Sequence, residues 1–122
     1  MRFLILISLI ASHALAHHSF AAEYDGKKAV SVTGTVTQVD WRNPHAYIYL
    51  DVKDAAGNVT QMVVEGHPPN ILRRTGWGKD AIKPQDTISV SGWASRDGAT
   101  RMAGREVILR DGKKLFWGPP SE

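Results

Sequence analysis

Between His45 and Val52 the chain alternates with a period of two: Ala46, Ile48, Leu50 and Val52 fall on one face, and His45, Tyr47, Tyr49 and Asp51 on the other. Successive side chains of a strand point to opposite faces, so this stretch reads as a half-buried strand with its aliphatic set against a core. A helix would scatter the same residues around its circumference. The constraint spreads to both neighbours. Upstream, Val30 to Trp41 is rich in β-branched residues, with Val30, Val32 and Val36 on one face and Gly34 where a strand would bend or bulge. Downstream, Asp54-Ala55-Ala56-Gly57-Asn58 forms a turn into a third strand, Val59 to Glu65. The three strands make a meander.

Pro68 to Gly76 carries a proline pair that suits a helix start, apolar Ile71 and Leu72, and a closing glycine, which predicts one short helix. Thr87 to Ala94 is a fourth strand with Ile88 and Val90 inward. A fifth runs from Arg101 to Arg110, and Asp111-Gly112 turns tightly before Leu115-Phe116-Trp117. No repeat, linker or second domain interrupts this order. The expected fold is all-β: a small five-stranded OB-like barrel with one short helix between strands three and four, preceded by an extended N-terminal arm over residues 17–28. An open β-sandwich is the main competitor.

The first sixteen residues stand apart from this domain. Met1-Arg2 supplies a positive end, Phe3 to Ala11 is almost continuously apolar, and Ala14-Leu15-Ala16 has the small-x-small form of a cleavage site. An apolar run of about ten residues falls short of the ~20 that span a bilayer. The expectation is a signal peptide over residues 1–16, cleaved after Ala16, and a periplasmic mature protein with no transmembrane segment. Removing 16 of 122 residues leaves 106, lowers the formal charge from +3 to +2 with Arg2, and leaves four of the five histidines: His17, His18, His45 and His67.

Composition then narrows the chemistry. With no cysteine there are no disulfides, thiolate metal sites or cysteine nucleophiles, so any metal must be held by nitrogen and oxygen. Fifteen Lys+Arg and twelve Asp+Glu are scattered without a basic run, which argues against a nucleic-acid partner. The serines lack a G-x-S-x-G context, Glu65 and Asp51 form no recognisable carboxylate pair, and no glycine-rich phosphate loop is present. The chain reads as non-enzymatic.

Cleavage after Ala16 would make His17 the amino terminus. Its α-amine, with a pKa of about 8, and its imidazole could then chelate a metal from one residue near neutral pH. A third nitrogen from His45 would complete a T-shaped set of the kind called a histidine brace, which suits copper(II), with zinc the lesser candidate. His18 could join, or the His17-His18 pair could chelate without help from the fold. Against this, both histidines could belong to a solvated tail. His45 could equally hydrogen-bond the Asn43-Pro44 turn or cap the strand end. His67, beside two prolines, reads as a surface loop residue.

A metal-independent alternative uses the outward face of strand two. Tyr47 and Tyr49 lie where OB folds bind oligonucleotides or sugars, and could take a small molecule, a glycan, or a periplasmic or membrane protein partner. Arg42, Arg73 and Arg74 would add polar contacts. Trp77 and Trp117 could add stacking platforms, whereas Trp41 and Trp93 are better placed to close the barrel ends.

Three stretches add a resemblance: H-H-S-F at His17 to Phe20, W-x-N-P-H-A-x-I at Trp41 to Ile48, and D-G-x-K-L-F at Asp111 to Phe116. With their spacing they resemble a family of small exported proteobacterial proteins of unknown function. That resemblance implies an exported, compact β-domain and no particular reaction. Tyr47 stands where the family pattern leads one to expect tryptophan, and His67 where it leads one to expect a small or polar residue. In overall plan the chain is also similar to periplasmic bacterial OB-fold proteins that bind small ligands.

Overall fold

The computed structural model describes residues 20–118. They form a mostly antiparallel sheet of six strands with only short helical segments: β1 (Tyr24–Asp40), β2 (Tyr47–Lys53), β3 (Val59–Glu65), α1 (Pro69–Arg74), β4 (Thr87–Ser95), β5 (Arg101–Ile108) and β6 (Lys114–Phe116). A helical turn over residues 20–23 precedes β1. The expected signal peptide, with His17 and His18, lies outside the described residues.

β1 joins the two halves of the sheet. Its first part pairs with β4, from Ala29 opposite Trp93 to Thr35 opposite Thr87, and its second pairs with β2, from Thr35 opposite Asp51 to Asp40 opposite Tyr47. Thr35 thus has a partner on each side. At Gly34, just before this exchange, a Cβ would sit 2.6 Å from the Asp51 carbonyl oxygen, so only glycine permits the approach. Parallel pairing of Val63–Glu65 with Arg101–Ala103 then joins β3 to β5 and closes the sheet into a ring.

Turn chemistry sets the register between β2 and β3. The Asp54 carboxylate accepts the backbone N–H groups of Ala56 and Asn58, each at 2.9 Å, and Gly57 adopts a positive φ of 86° that suits its lack of a Cβ. Val59 then meets Lys53, and every later pair follows to Tyr47 opposite Glu65.

The alternation read from β2 survives in the core. Ala46, Ile48 and Leu50 are fully buried with Val36, Val64, Val90, Met102 and Val107, while Val52 packs half-buried at the margin. Each such aliphatic side chain contributes about 1.5–3 kcal/mol of transfer free energy. Pro69 opens α1 in the first turn, where its missing N–H costs nothing, and the helix delivers Leu72 to the same core. Trp41, Trp77 and Trp117 pack edge to face with ring centroids 5.0–6.0 Å apart.

Three expectations need correction. The sheet has six strands rather than five, because the turn closed by the 2.8 Å bond from Leu109 N–H to the Lys113 carbonyl folds β6 back along β5. The described part of the expected arm is not a separate extended segment: residues 20–23 form a helical turn and β1 already starts at Tyr24, whose ring is buried and which pairs with Ser95. Trp77 and Trp117 are buried at 3% and 0% exposure, so they serve the core and offer no stacking platform. Among the described residues, no helix is long and apolar enough to cross a membrane.

Candidate functional site

Three strand ends converge because of this register. The start of β2 lies beside the end of β3, Tyr47 opposite Glu65, and the end of β3 lies beside the start of β5, Glu65 opposite Ala103. Tyr24, at the start of β1, reaches the same place from the β4 side. Together with Phe20, these ends enclose a pocket of about 420 Å³.

Within it, His45 has a defined tautomer. Its Nδ1 lies 2.9 Å from the Gly66 carbonyl oxygen. A carbonyl can only accept, so Nδ1 carries the hydrogen of this bond. The sequence left open a bond to the Asn43-Pro44 turn, and the partner is instead at the far end of β3. Nε2 faces Glu65 Oε1 at 3.7 Å, too long for a hydrogen bond. The other carboxylate oxygen, Oε2, accepts the Tyr24 hydroxyl.

The remaining groups surround this pair. Burial first, and then the bond and charge of Glu65, push the Tyr24 phenol far up, which keeps its hydroxyl a donor. Burial and then Glu65 likewise raise Tyr47, and the Arg42 guanidinium lies 4.8 Å over the Tyr47 ring. Arg101 lies 5.7 Å from the Tyr24 ring centre and turns Nη2 to Glu23 at 3.7 Å, while its buried Nε has no partner among the described residues. The Arg101–Glu23 pair is substantially exposed, so it adds at most about 1 kcal/mol.

His67, in the loop between β3 and α1, is half-buried and also lines the pocket. Burial, and secondarily His45, hold its imidazole below the ordinary value. Tyr49 does not line the pocket; its hydroxyl donates to Asp40 Oδ2 at 3.3 Å. The tyrosine face is therefore split, with Tyr47 at the pocket and Tyr49 outside it. Arg73 and Arg74 are exposed in the last turn of α1, and Trp93 packs against Phe20 and Tyr24 beneath the pocket wall.

Glu65, Tyr24 and Arg101 were not singled out as a group by sequence reasoning. A sequence separation of 41 hides the contact of Tyr24 with Glu65, and only the strand register reveals it. Among the described residues, no group of three or more His, Asp or Glu side chains is placed to hold a metal ion. What they offer is the His45 ring beside the Glu65 carboxylate, an ion pair when the ring is protonated, on a pocket that Phe20 also lines. With that geometry in place, comparison with known families is informative: a model of a family of unknown function, DUF6152, matches residues 5–104, and the chain belongs to that family. No curated protein matches it.

Proposed function

We propose that this member of DUF6152 is an exported OB-like β-barrel that binds copper, with zinc the weaker competitor. The ligands are the α-amine and imidazole of His17, freed by removal of a signal peptide after Ala16, together with His45 and, when the terminus folds over, His18. The closed order β1-β2-β3-β5-β4 supports the barrel reading. The observation that carries the metal reading is His45. Its Nδ1–H is engaged by a backbone carbonyl, the arrangement that commonly fixes a ligating imidazole, and its bare Nε2 faces the pocket that Phe20 lines. Phe20 packs on Tyr24 at 5.6 Å and edge-on to Trp93 at 5.7 Å between ring centres. Phe20, three positions after His17 in the sequence, lines the same pocket as His45.

Copper(II) titration of processed protein, compared with protein bearing one extra N-terminal residue, tests this reading. The extension should weaken binding at least tenfold; unchanged tight binding overturns the reading. His45→Ala should also weaken binding while the circular dichroism of the sheet persists. Protons compete for the imidazoles and amine, so affinity should fall as pH drops through about 6.5.

A second reading has support in the pocket's aromatic walls. Phe20, Tyr24 and Tyr47 beside Arg101 would suit a small organic molecule, a glycan or a side chain of a protein partner without any metal. The displacement of Tyr49 from the pocket removes half of the tyrosine platform that reading first relied on.

A further inference from the structure

We infer that the pocket beside the β3–β5 ladder is a receptor for a small zwitterion, a free α-amino acid with an apolar side chain, whose carboxylate goes to Arg101 and whose ammonium goes to Glu65. The inference rests on the metal-independent reading above and gives that reading its ligand class. The strand register sets it up. Val63 is opposite Arg101 and Glu65 opposite Ala103 across the parallel ladder, so Arg101 and Glu65 stand on the same face as diagonal neighbours. Strands about 4.8 Å apart, with a rise of about 3.3 Å per residue, put their Cα atoms about 8 Å apart. Long side chains of opposite charge can meet over that distance.

They do not meet; each turns instead to Tyr24. The Tyr24 hydroxyl donates to Glu65 Oε2, and the Arg101 guanidinium lies 5.7 Å from the centre of the Tyr24 ring. Tyr24 is itself buried and packed on Phe20, with ring centres 5.6 Å apart. A fixed tyrosine thus holds an anion and a cation apart on the wall of one pocket. Both charges keep bonding capacity. Glu65 Oε1 stands 3.7 Å from His45 Nε2, beyond hydrogen-bond distance whether or not the imidazole carries a second proton, so an acceptor position stays open. Arg101 pairs with the exposed Glu23 only at 3.7 Å, and its enclosed Nε has no partner among the described residues, so its Nη groups are the end that a ligand meets.

Opposite charges held apart select a ligand that carries both. A guanidinium receives a carboxylate through two parallel N–H···O bonds, and a carboxylate accepts an ammonium in a charge-assisted bond. A ligand with the carboxylate alone faces repulsion from Glu65 and Glu23, and one with the ammonium alone faces repulsion from Arg101, whereas the zwitterion turns each contact into attraction. The remaining wall suits an apolar side chain: Phe20 and Tyr47 present half-buried rings and Ala103 a methyl group. A volume of about 420 Å³ lies at the small end of the range for ligand pockets, as a ligand of this size requires.

The test titrates processed protein, stripped of metal beforehand, with L-phenylalanine, with hydrocinnamate, which lacks the ammonium, and with phenethylamine, which lacks the carboxylate. Calorimetry gives the affinity and amide NMR shifts give the location. Phenylalanine should bind at least tenfold more tightly than either analogue and shift the amides of Phe20, Tyr47 and Ala103. Arg101→Gln should weaken phenylalanine at least tenfold without weakening phenethylamine, and Glu65→Gln should weaken phenylalanine at least tenfold without weakening hydrocinnamate. If either analogue binds at these amides as tightly as phenylalanine, the zwitterion inference is overturned and the pocket reading stands. If phenylalanine does not bind at millimolar concentration, the inference is overturned as well; the pocket reading falls with it only when both analogues and N-acetylglucosamine also leave these amides unmoved. Should a variant fail to fold, the ranking of the three ligands on wild-type protein still decides.

Discussion

Gly66 is shared by two regions that treat their polar atoms differently. Toward the core, a Cβ on Gly66 would lie 2.5 Å from Trp117 Nε1, so the indole packs directly on the glycine backbone. In that cluster the two buried indole N–H groups are satisfied: Trp117 Nε1 donates to the Val64 carbonyl at 3.3 Å and Trp77 Nε1 to that of Phe116. Toward the pocket, the Gly66 carbonyl orients His45, whose Nε2 stands 3.7 Å from Glu65 Oε1, beyond hydrogen-bond distance, while Arg101 Nε has no partner among the described residues. Satisfied polar groups stabilise, whereas unmatched ones persist only where the surrounding structure holds them. The contrast separates the cluster whose polar groups are paired within the fold from the strand ends at which binding is proposed.

The sharpest way to break this contrast is Trp117→Ala. It should cost about 3–5 kcal/mol, measured as a lowered denaturant midpoint, because it empties the best-packed site in the core. Gly66→Ala comes next. The new Cβ must displace Trp117, so a cost of about 1–3 kcal/mol is expected, and because the same residue orients His45, copper binding should weaken with it. A loss of stability with unaltered binding would show that the two regions are independent at this point. Tyr24→Phe should cost less, about 1–2 kcal/mol, because it removes one hydrogen bond to a charged acceptor that keeps partial access to water.

The smallest effect concerns His67. Its folded value is held below the ordinary one, so the unfolded chain binds the proton more readily. Its contribution to stability is therefore complete above about pH 6.5 and is lost as pH falls through the lower folded value. In His67→Gln the fall in denaturant midpoint from about pH 7 to about pH 5 should be shallower than in wild type. Parallel curves would return His67 to the solvated loop that its two prolines first indicated.

The strands were legible wherever one face meets the core and the other meets water. Val59 to Glu65 was delimited as observed, and β2 and β4 differ from their expected limits by one or two residues. The first six residues of β1 were not legible. Tyr24 to Ala29 carries no alternation, and its place in the sheet depends on Tyr24 finding Ser95 across an irregular stretch of the ladder. Residues His45 and Tyr47 could be picked out because they flank a turn and share a face. Glu65 could not, since a carboxylate at the end of a strand is ordinary until the register sets it opposite Tyr47 and the tertiary fold brings Tyr24 and His45 to it. The pocket position of His67 was hidden for a similar reason: the backbone bond from its N–H to the Trp117 carbonyl, 2.8 Å, ties its loop to a distant segment.

The ring is closed by only three paired residues on each of β3 and β5, and Glu65, Arg101 and Ala103 belong to both that closure and the pocket. Short ladders are where a folded sheet opens first in partial unfolding. The pocket is therefore built at the joint whose opening would dismantle it, and whatever it binds is gripped only while the joint is shut. Occupancy should slow amide hydrogen exchange at Val63–Glu65 and Arg101–Ala103 more than in the tryptophan cluster, because a ligand that recognises only the closed ring raises the free energy of opening it.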